Sequence, residues 1–169
     1  MDLKTFPNCE GVLDVVYNPA RTALLLQAES LGIAHAGGLY MLVAQAKRSS
    51  EIFTGSSIPD SETERIEKLL SAQMQNIILI GMPSSGKSTV AAALGKKLGR
   101  SVYEADALIE EEAGMDIPAI FAAHGEDYFR KLETQVLRKL GALSGAVIST
   151  GGGSVTREEN YAPCTRTAG

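Results

Sequence analysis

The run "NIILIGMPSSGKSTVAAALGKKLG", from Asn76 to Gly99, constrains the fold of this chain more than any other stretch. An unbroken apolar segment is what a parallel strand covered on both faces requires. It passes straight into a Gly/Ser loop, and the loop into a helical pattern. Gly81, Gly86, Lys87 and Ser88 satisfy the spacing G-x-x-x-x-G-K-[ST], and a strand before and a helix after give that spacing its meaning. The glycines let the backbone curl so that successive N–H groups meet phosphate oxygens, backed by the positive end of the following helix. Lys87 brings a point charge to the β and γ phosphates, and the Ser88 hydroxyl suits a Mg²⁺ ligand. Gly81, Ser84, Ser85, Gly86, Lys87, Ser88 and Thr89 are therefore the candidate ATP-binding residues. Ser84 stands where many such loops carry another glycine, and a serine with positive φ there is mildly strained. The competing reading, a Gly/Ser turn that matches by accident, leaves the flanking strand and helix unexplained.

From Asn76 onward the order reads strand, loop, helix, strand, helix, helix, strand, with "SVYEA" and "AVIST" as the later strands. Such alternation predicts an α/β fold: a parallel sheet with flanking helices, of the P-loop nucleoside-triphosphate hydrolase-like kind. Residues 11–53 differ. They read as a short strand (Val12–Val16) and two helices separated by a Gly-rich turn. Arg21–Leu31 turns Leu24, Leu25, Ala28 and Leu31 inward, and Leu39–Phe53 does so with Leu42, Val43, Ala46 and Phe53. "TGSSIPDSETE" reads as a linker. Ser61 and Glu64 form a capping-box pattern ahead of a helix to Met74, with Ile66, Leu69, Leu70 and Met74 inward. That helix is either a free connector or packs on the domain after it. The expected organisation is 1–55, a linker and connector helix at 56–75, and a P-loop domain at 76–169.

With 169 residues, 44% hydrophobic, 21% charged and a net charge of −4, the chain has the profile of a soluble globular protein. Nothing in it points to nucleic acid or an anionic membrane, and no apolar run approaches the ~20 residues of a membrane span. "MDLKTFPNCEG" lacks the layout of a signal peptide. Cys9 and Cys164, at opposite ends, read as reduced thiols of a cytoplasmic protein. His35 and His124 are isolated and read as surface or turn residues.

Three later segments carry candidate chemistry. In "YEADALIEEEAG", Glu104 and Asp106 lie two apart at the carboxyl end of a strand, where ligands bind in open α/β sheets. On extended chain both carboxylates share one side, so one can serve Mg²⁺ while the other receives a hydroxyl. Equally, they are acids favoured at a helix start by its dipole. Glu110, Glu111 and Glu112 read as a solvated helix face. "GEDYFRKLETQVLRKL" is amphipathic, with Phe129, Leu132, Val136, Leu137 and Leu140 as its apolar stripe. Within it Arg130 and Glu133 stand at i, i+3, either an ordinary surface pair or an arginine fixed as a forked receptor for a carboxylate. "AVISTGGGSV" ends a buried strand in Gly151, Gly152 and Gly153. There a ligand can approach bare backbone, unless the glycines serve only as a flexible turn.

Together "GMPSSGKST", "YEAD", "IPAIFAAHGEDYFRKLE" and "STGGGSV" resemble shikimate kinase in order and spacing across about residues 76–161. The resemblance implies transfer of the γ-phosphoryl of ATP to the 3-hydroxyl of shikimate, with ATP and Mg²⁺ as cofactors, in aromatic amino acid biosynthesis. On it, Asp106 orients and deprotonates the hydroxyl, Arg130 clamps the shikimate carboxylate, and the backbone of Gly151, Gly152 and Gly153 lines the ring. Lys87 and a Mg²⁺ on Ser88 neutralise the transferring group. The family pattern at the acid pair is Asp-x-Asp, whereas this chain has Glu104 at the first position, the candidate metal residue beside Ser88. A related small-metabolite or nucleotide kinase, which would share the loop, is disfavoured by "FRKLE" with "GGG".

The first half, "DVVYNPARTALLLQAESLG" and "GGLYMLVAQA", looks like the C-terminal end of shikimate dehydrogenase. On that resemblance Tyr17 and Gln45 fall at substrate-side positions, and Gly38 and Met41 around the nicotinamide. By spacing alone Gln45 is a solvent-facing residue and Met41 a core residue. No Gly-rich dinucleotide fingerprint precedes them, so hydride transfer is not expected. The kinase resemblance fades near Tyr161, and Arg157 and Arg166 sit in no recognisable lid context. The expectation is a junction piece of a dehydrogenase–kinase fusion, shortened at both ends. It is either a kinase module or an inactive ATP-binding fragment, whose exposed sheet edge invites self-association.

Overall fold

Parallel pairing organises both halves of the chain. In the computed structural model, which describes residues 2–152, the polypeptide divides between Met74 and Gln75 into two compact units. The expected contributions of Gly153, Arg157, Cys164 and Arg166 lie outside the described residues.

The first unit contains β1 (Gly11–Leu13), α1 (Ala23–Ser30), β2 (Ala34–Ala36), α2 (Leu39–Thr54) and α3 (Asp60–Met74). β1 and β2 pair in parallel, Val12 opposite His35, so β1-α1-β2 is a β-α-β unit. The sequence reading has no strand at β2, because "AHA" is three residues long, exposed throughout and without apolar alternation. α1 starts behind Thr22, whose Oγ accepts from the Leu25 N–H at 3.3 Å and donates to Asp14 Oδ2 at 2.6 Å. Leu25 and Ala28 then bury against Leu3 and Val12. Several residues expected inward are outside: Leu31, Ile66, Leu69 and Phe53, the last 88% exposed; Val15 and Val16, expected in the first strand, lie beyond its end at Leu13 and are exposed. Left-handed Gly55 (φ 67°) ends α2 two residues beyond Phe53, so no further turn extends over it.

α3 packs on α2 rather than standing free. Its start is tied there by the Glu51 carboxylate, which accepts from the Ile58 N–H at 3.0 Å, and by the Lys47–Asp60 ion pair. Because the helix already begins at Asp60, Ser61 lies inside it and the expected capping box does not form.

In the second unit, β3 (Ile77–Leu79), α4 (Lys87–Leu98), β4 (Val102–Glu104), α5 (Ala105–Ala113), α6 (Ile117–Gly141) and β5 (Val147–Ser149) follow in chain order. The sheet order is β3-β5-β4, all parallel, with Ile78 and Tyr103 flanking Ile148. β5 is buried along its length. β3 is only half-buried, which corrects the expectation of two covered faces: among the described residues it is an outer strand. Asn76, 5% exposed, clips the two strand entrances together. Its Nδ2 donates to the Leu143 carbonyl and its Oδ1 accepts from the Ala146 N–H, each at 2.8 Å. At the exits, Thr150 donates both its N–H and its hydroxyl to the Leu79 carbonyl at 3.1 Å.

The expected apolar stripe of α6 is fully buried: Phe129, Leu132, Val136, Leu137 and Leu140 pack with Ile109, Ile120 and Ile148. α6 breaks once, at Gly125 (φ 78°, ψ 176°), a conformation open to glycine without a Cβ penalty. Glu110 is not merely solvated. Its carboxylate accepts from the Ile117 N–H at 3.0 Å and so joins the end of α5 to the start of α6. On the other side of the sheet α4 closes on β4 at Gly95, where a Cβ would lie 2.2 Å from Val102 Cγ2.

Asn76→Ala removes both partners of the buried clip and strands a backbone donor and acceptor. A loss of about 2 kcal/mol in unfolding free energy is expected, read as a lower urea midpoint at unchanged slope. An unaltered midpoint would mean that water replaces the amide without cost.

Candidate functional site

The carboxyl ends of β3, β4 and β5 open on a cleft of about 370 Å³, lined by residues 83–88, Glu104, Asp106, Ser149, Thr150 and Gly152. This is the end of a parallel sheet at which ligands bind. The strand clip at Thr150 sets the level of the β3 exit, and the loop leaves from there.

Two left-handed residues shape that loop: Ser84 (φ 61°) and Gly86 (φ 83°). Curled backbone of this kind forms a concave nest for anions, and Gly86 is also the N-cap of α4, whose first residue is Lys87. Ser84 is the one non-glycine residue with positive φ among those described, so the anticipated strain is present. Lys87 Nζ bridges the loop, donating to the Gly81 and Met82 carbonyls at 2.9 and 2.8 Å. Ser88, in the first turn of α4, lines the cleft; Thr89 does not.

The acid pair spans the strand end and the helix start. Glu104 closes β4 in extended conformation and is the N-cap of α5, while Asp106 lies in that helix's first turn. They reach the same cleft across a strand–helix junction, not from one face of a strand. Asp106 is open to solvent at the cleft wall, yet the surrounding protein displaces part of its hydration. This desolvation pushes its pKa up, the Glu133 charge adds to the shift, and the Lys87 ammonium opposes it. Asp106 thus feels both the phosphate loop and α6.

Arg130 does not line the cleft; its partner Glu133 acts electrostatically on Asp106, which does. The Glu133 carboxylate, 2% exposed, accepts from Arg130 Nη1 at 3.0 Å. Glu126 Oε1 accepts from Nε and Nη2 of the same guanidinium, each at 3.2 Å. Burial works against the charge, but the bonds to Glu133 and Glu126 outweigh it and hold the arginine's pKa above its ordinary value. The i, i+3 pair is therefore anchored in the core on its acidic side, unlike an ordinary surface pair.

Of the three expected glycines, Gly151 is buried, Gly152 lines the cleft, and Gly153 lies outside the described residues. Gly152 also abuts the phosphate loop: a Cβ there would sit 2.5 Å from Pro83 Cδ and 3.0 Å from Pro83 N. Sequence reasoning missed Pro83, Ser149 and Thr150 as cleft residues and Glu126 as a partner of Arg130. The rule that ligands meet the carboxyl ends of parallel strands would have found Ser149 and Thr150. The i, i+4 spacing would have found Glu126.

No group of three or more His, Cys, Asp or Glu residues among those described could hold a metal by itself. The donors present are hard oxygens, Ser88 and Glu104 on one cleft. They fit Mg²⁺, which keeps waters and shares its shell with nucleotide phosphates.

Similarity to known proteins agrees with this geometry. The family model described as shikimate kinase matches residues 83–168. A shikimate kinase of a Synechococcus species is 44% identical over 104 residues, covering 62% of this chain and 52% of that protein. The Geobacter sulfurreducens shikimate kinase is 46% identical over 86 residues, covering 51% and 48%. Among solved structures, shikimate kinase from Acinetobacter baumannii in complex with shikimate superposes with a TM-score of 0.54 at 38% identity, covering 56% of this chain and 53% of that one. The Aquifex aeolicus shikimate kinase gives 0.53 at 41%, covering 56% of each. The chain thus spans about half the length of the curated relatives it matches. Its fold is the α/β, P-loop kind of those kinases, and the chain belongs to the shikimate kinase family.

Proposed function

We propose that this chain carries the phosphate-loop and acceptor-activating part of a shikimate kinase, which transfers the γ-phosphoryl group of ATP to the 3-hydroxyl of shikimate. The observation that supports this most is the position of Asp106. It shares a cleft with the phosphate loop, and its charge is coupled both to Lys87 and to Glu133, the anchor of Arg130. A phosphoryl donor on the loop and a hydroxyl acceptor held by Arg130 would meet at Asp106.

In this reading residues 81 and 84–89 hold the nucleotide. Lys87 exchanges its loop carbonyls for phosphate oxygens and offsets charge on the moving group. Ser88 and Glu104 would hold Mg²⁺, directly or through water, and the ion neutralises phosphate charge when bound. Asp106 accepts the proton of the attacking hydroxyl as its oxygen bonds to the γ-phosphorus and the bond to the β-bridging oxygen breaks. An upward-shifted carboxylate is a better proton acceptor near neutral pH than an ordinary one. Arg130 fixes the substrate carboxylate, and Gly151 and Gly152 present bare backbone to the ring. An ATP-consuming step on a small metabolite suits the cytoplasm, and no described helix is long and apolar enough to cross a membrane. β4, an outer strand among the described residues with exposed positions, is the edge through which a second copy would add.

For the first unit we infer descent from the C-terminal end of a shikimate dehydrogenase, with 1–55 as its remnant, 56–75 as connector and 76–169 as the kinase part. The parallel β1-α1-β2 unit supports this, since dinucleotide-binding domains are built from such units.

ADP release from Mg·ATP should depend on shikimate and fall on the order of 10²–10³ in Lys87→Ala, as when one stabilising donor is removed. Shikimate-independent release, or none while ATP still binds, would overturn the reading. Asp106→Asn should cost roughly 10²–10⁴ in kcat, and the wild-type rate should fall in acid as this raised carboxyl takes up its proton. Stability moves the other way. With its pKa raised on folding, Asp106 holds its proton more tightly in the native state, so stability declines as pH rises from the ordinary carboxylate range to the raised value. Asp106→Asn should therefore have a higher Tm than wild type at neutral pH, the gain vanishing below the ordinary carboxylate pKa. A lower Tm at neutral pH would contradict that assignment.

A further inference from the structure

The two carboxylates on Arg130 are unequal. Glu133 takes Nη1 from inside the core, with 2% of its side chain exposed, whereas Glu126 is 64% exposed. Their positions on the guanidinium differ as well. Nε and Nη2 form the side edge, the planar fork that a carboxylate engages with two parallel bonds. Glu126 occupies that edge with a single oxygen, Oε1, at 3.2 Å from each nitrogen. One oxygen shared between two donors is a poorer arrangement than two oxygens meeting them separately. The helix break at Gly125 lies immediately before Glu126, so its backbone continues the second segment of α6 while its side chain reaches solvent.

We propose that Glu126 is a displaceable stand-in for the ligand carboxylate, a residue of this chain that competes with the acidic substrate for the side edge of Arg130 and thereby sets its affinity. Glu133 is the permanent anchor: it orients the guanidinium and stays when the substrate arrives. Glu126 shields the fork from other anions and yields to a ligand that brings two well-placed oxygens. This rests on the reading of Arg130 as the receptor for the shikimate carboxylate. It adds that removing a charge beside the substrate arginine tightens binding, although a residue that positioned Arg130 would do the reverse when removed.

The test is equilibrium binding of shikimate, and of its uncharged methyl ester, to the full chain as wild type, Glu126→Gln and Arg130→Ala, together with steady-state kinetics. An exposed i, i+4 pair is weak, so Glu126→Gln should bind shikimate about twofold tighter. KM for shikimate should fall by the same factor, with kcat, KM for ATP and affinity for the methyl ester unchanged. Equal or weaker shikimate binding by Glu126→Gln, when wild-type binding does depend on Arg130, overturns the stand-in alone. Equal tightening of the ester also overturns it, because competition acts only on a charged carboxylate. Shikimate binding indifferent to Arg130→Ala, or absent from every chain, overturns the receptor reading and the stand-in with it.

Discussion

Everything at the cleft hangs on β5, which lies between β3 and β4 and is buried along its length. A three-residue strand has little pairing of its own. Here it holds because side chains close it at both ends: Asn76 at the entrance and Thr150 at the exit. The Ala146–Asn76 bond is buried and the other two are partly so, which limits competition from water. They also fix where the phosphate loop leaves β3 relative to the glycine turn that leaves β5. β4 pairs in the same register on the far side and delivers Glu104 to the same level. The cleft is thus a consequence of strand alignment, with the loop conformation added to it.

The α5–α6 pair supplies the second half of the site by a different route. Its packing is apolar, through Ile109, Ile120 and the stripe on α6, and a buried carboxylate, Glu133, is carried into that packing. A lone buried carboxylate is costly, and hydrogen bonding to an arginine compensates. The same arrangement that makes Glu133 tolerable holds the Arg130 guanidinium in one orientation. Through Glu133 the arginine's surroundings also act on Asp106. Apolar packing of the helix pair on Ile148 joins the two halves, and electrostatics adds to it at Asp106.

How much of this was legible depended on the kind of signal. The course of the phosphate loop was readable, down to the left-handed serine at 84, because its spacing and flanking elements are local; the place of Pro83 in the cleft, and of Thr89 outside its lining, was not. The α6 stripe was readable because a long helix repeats its pattern many times. β2 was not, since three exposed residues carry no periodicity. Nor was the depth of β3, because whether a strand is central or outer depends on pairing that no local window contains. The acid pair divided evenly between strand and helix in the sequence, and the reason is now plain: residue 104 ends one and residue 106 lies in the first turn of the other. Phe53 and Ser61 failed for a related reason. Phe53 was placed by helical spacing and Ser61 by a capping pattern, but the fate of each was decided by where a helix ends or begins.

The close approach of Gly152 to Pro83 has an implication for how this protein tolerates change. With backbone and ring in contact at that point, neither loop has slack to absorb a larger neighbour. Drift at one loop must be accepted by the other, so the two vary as a unit even though 69 positions of chain separate them. A library that randomises either loop alone would sample mostly incompatible partners. Joint randomisation, with 152 kept as glycine, is the search that the packing permits.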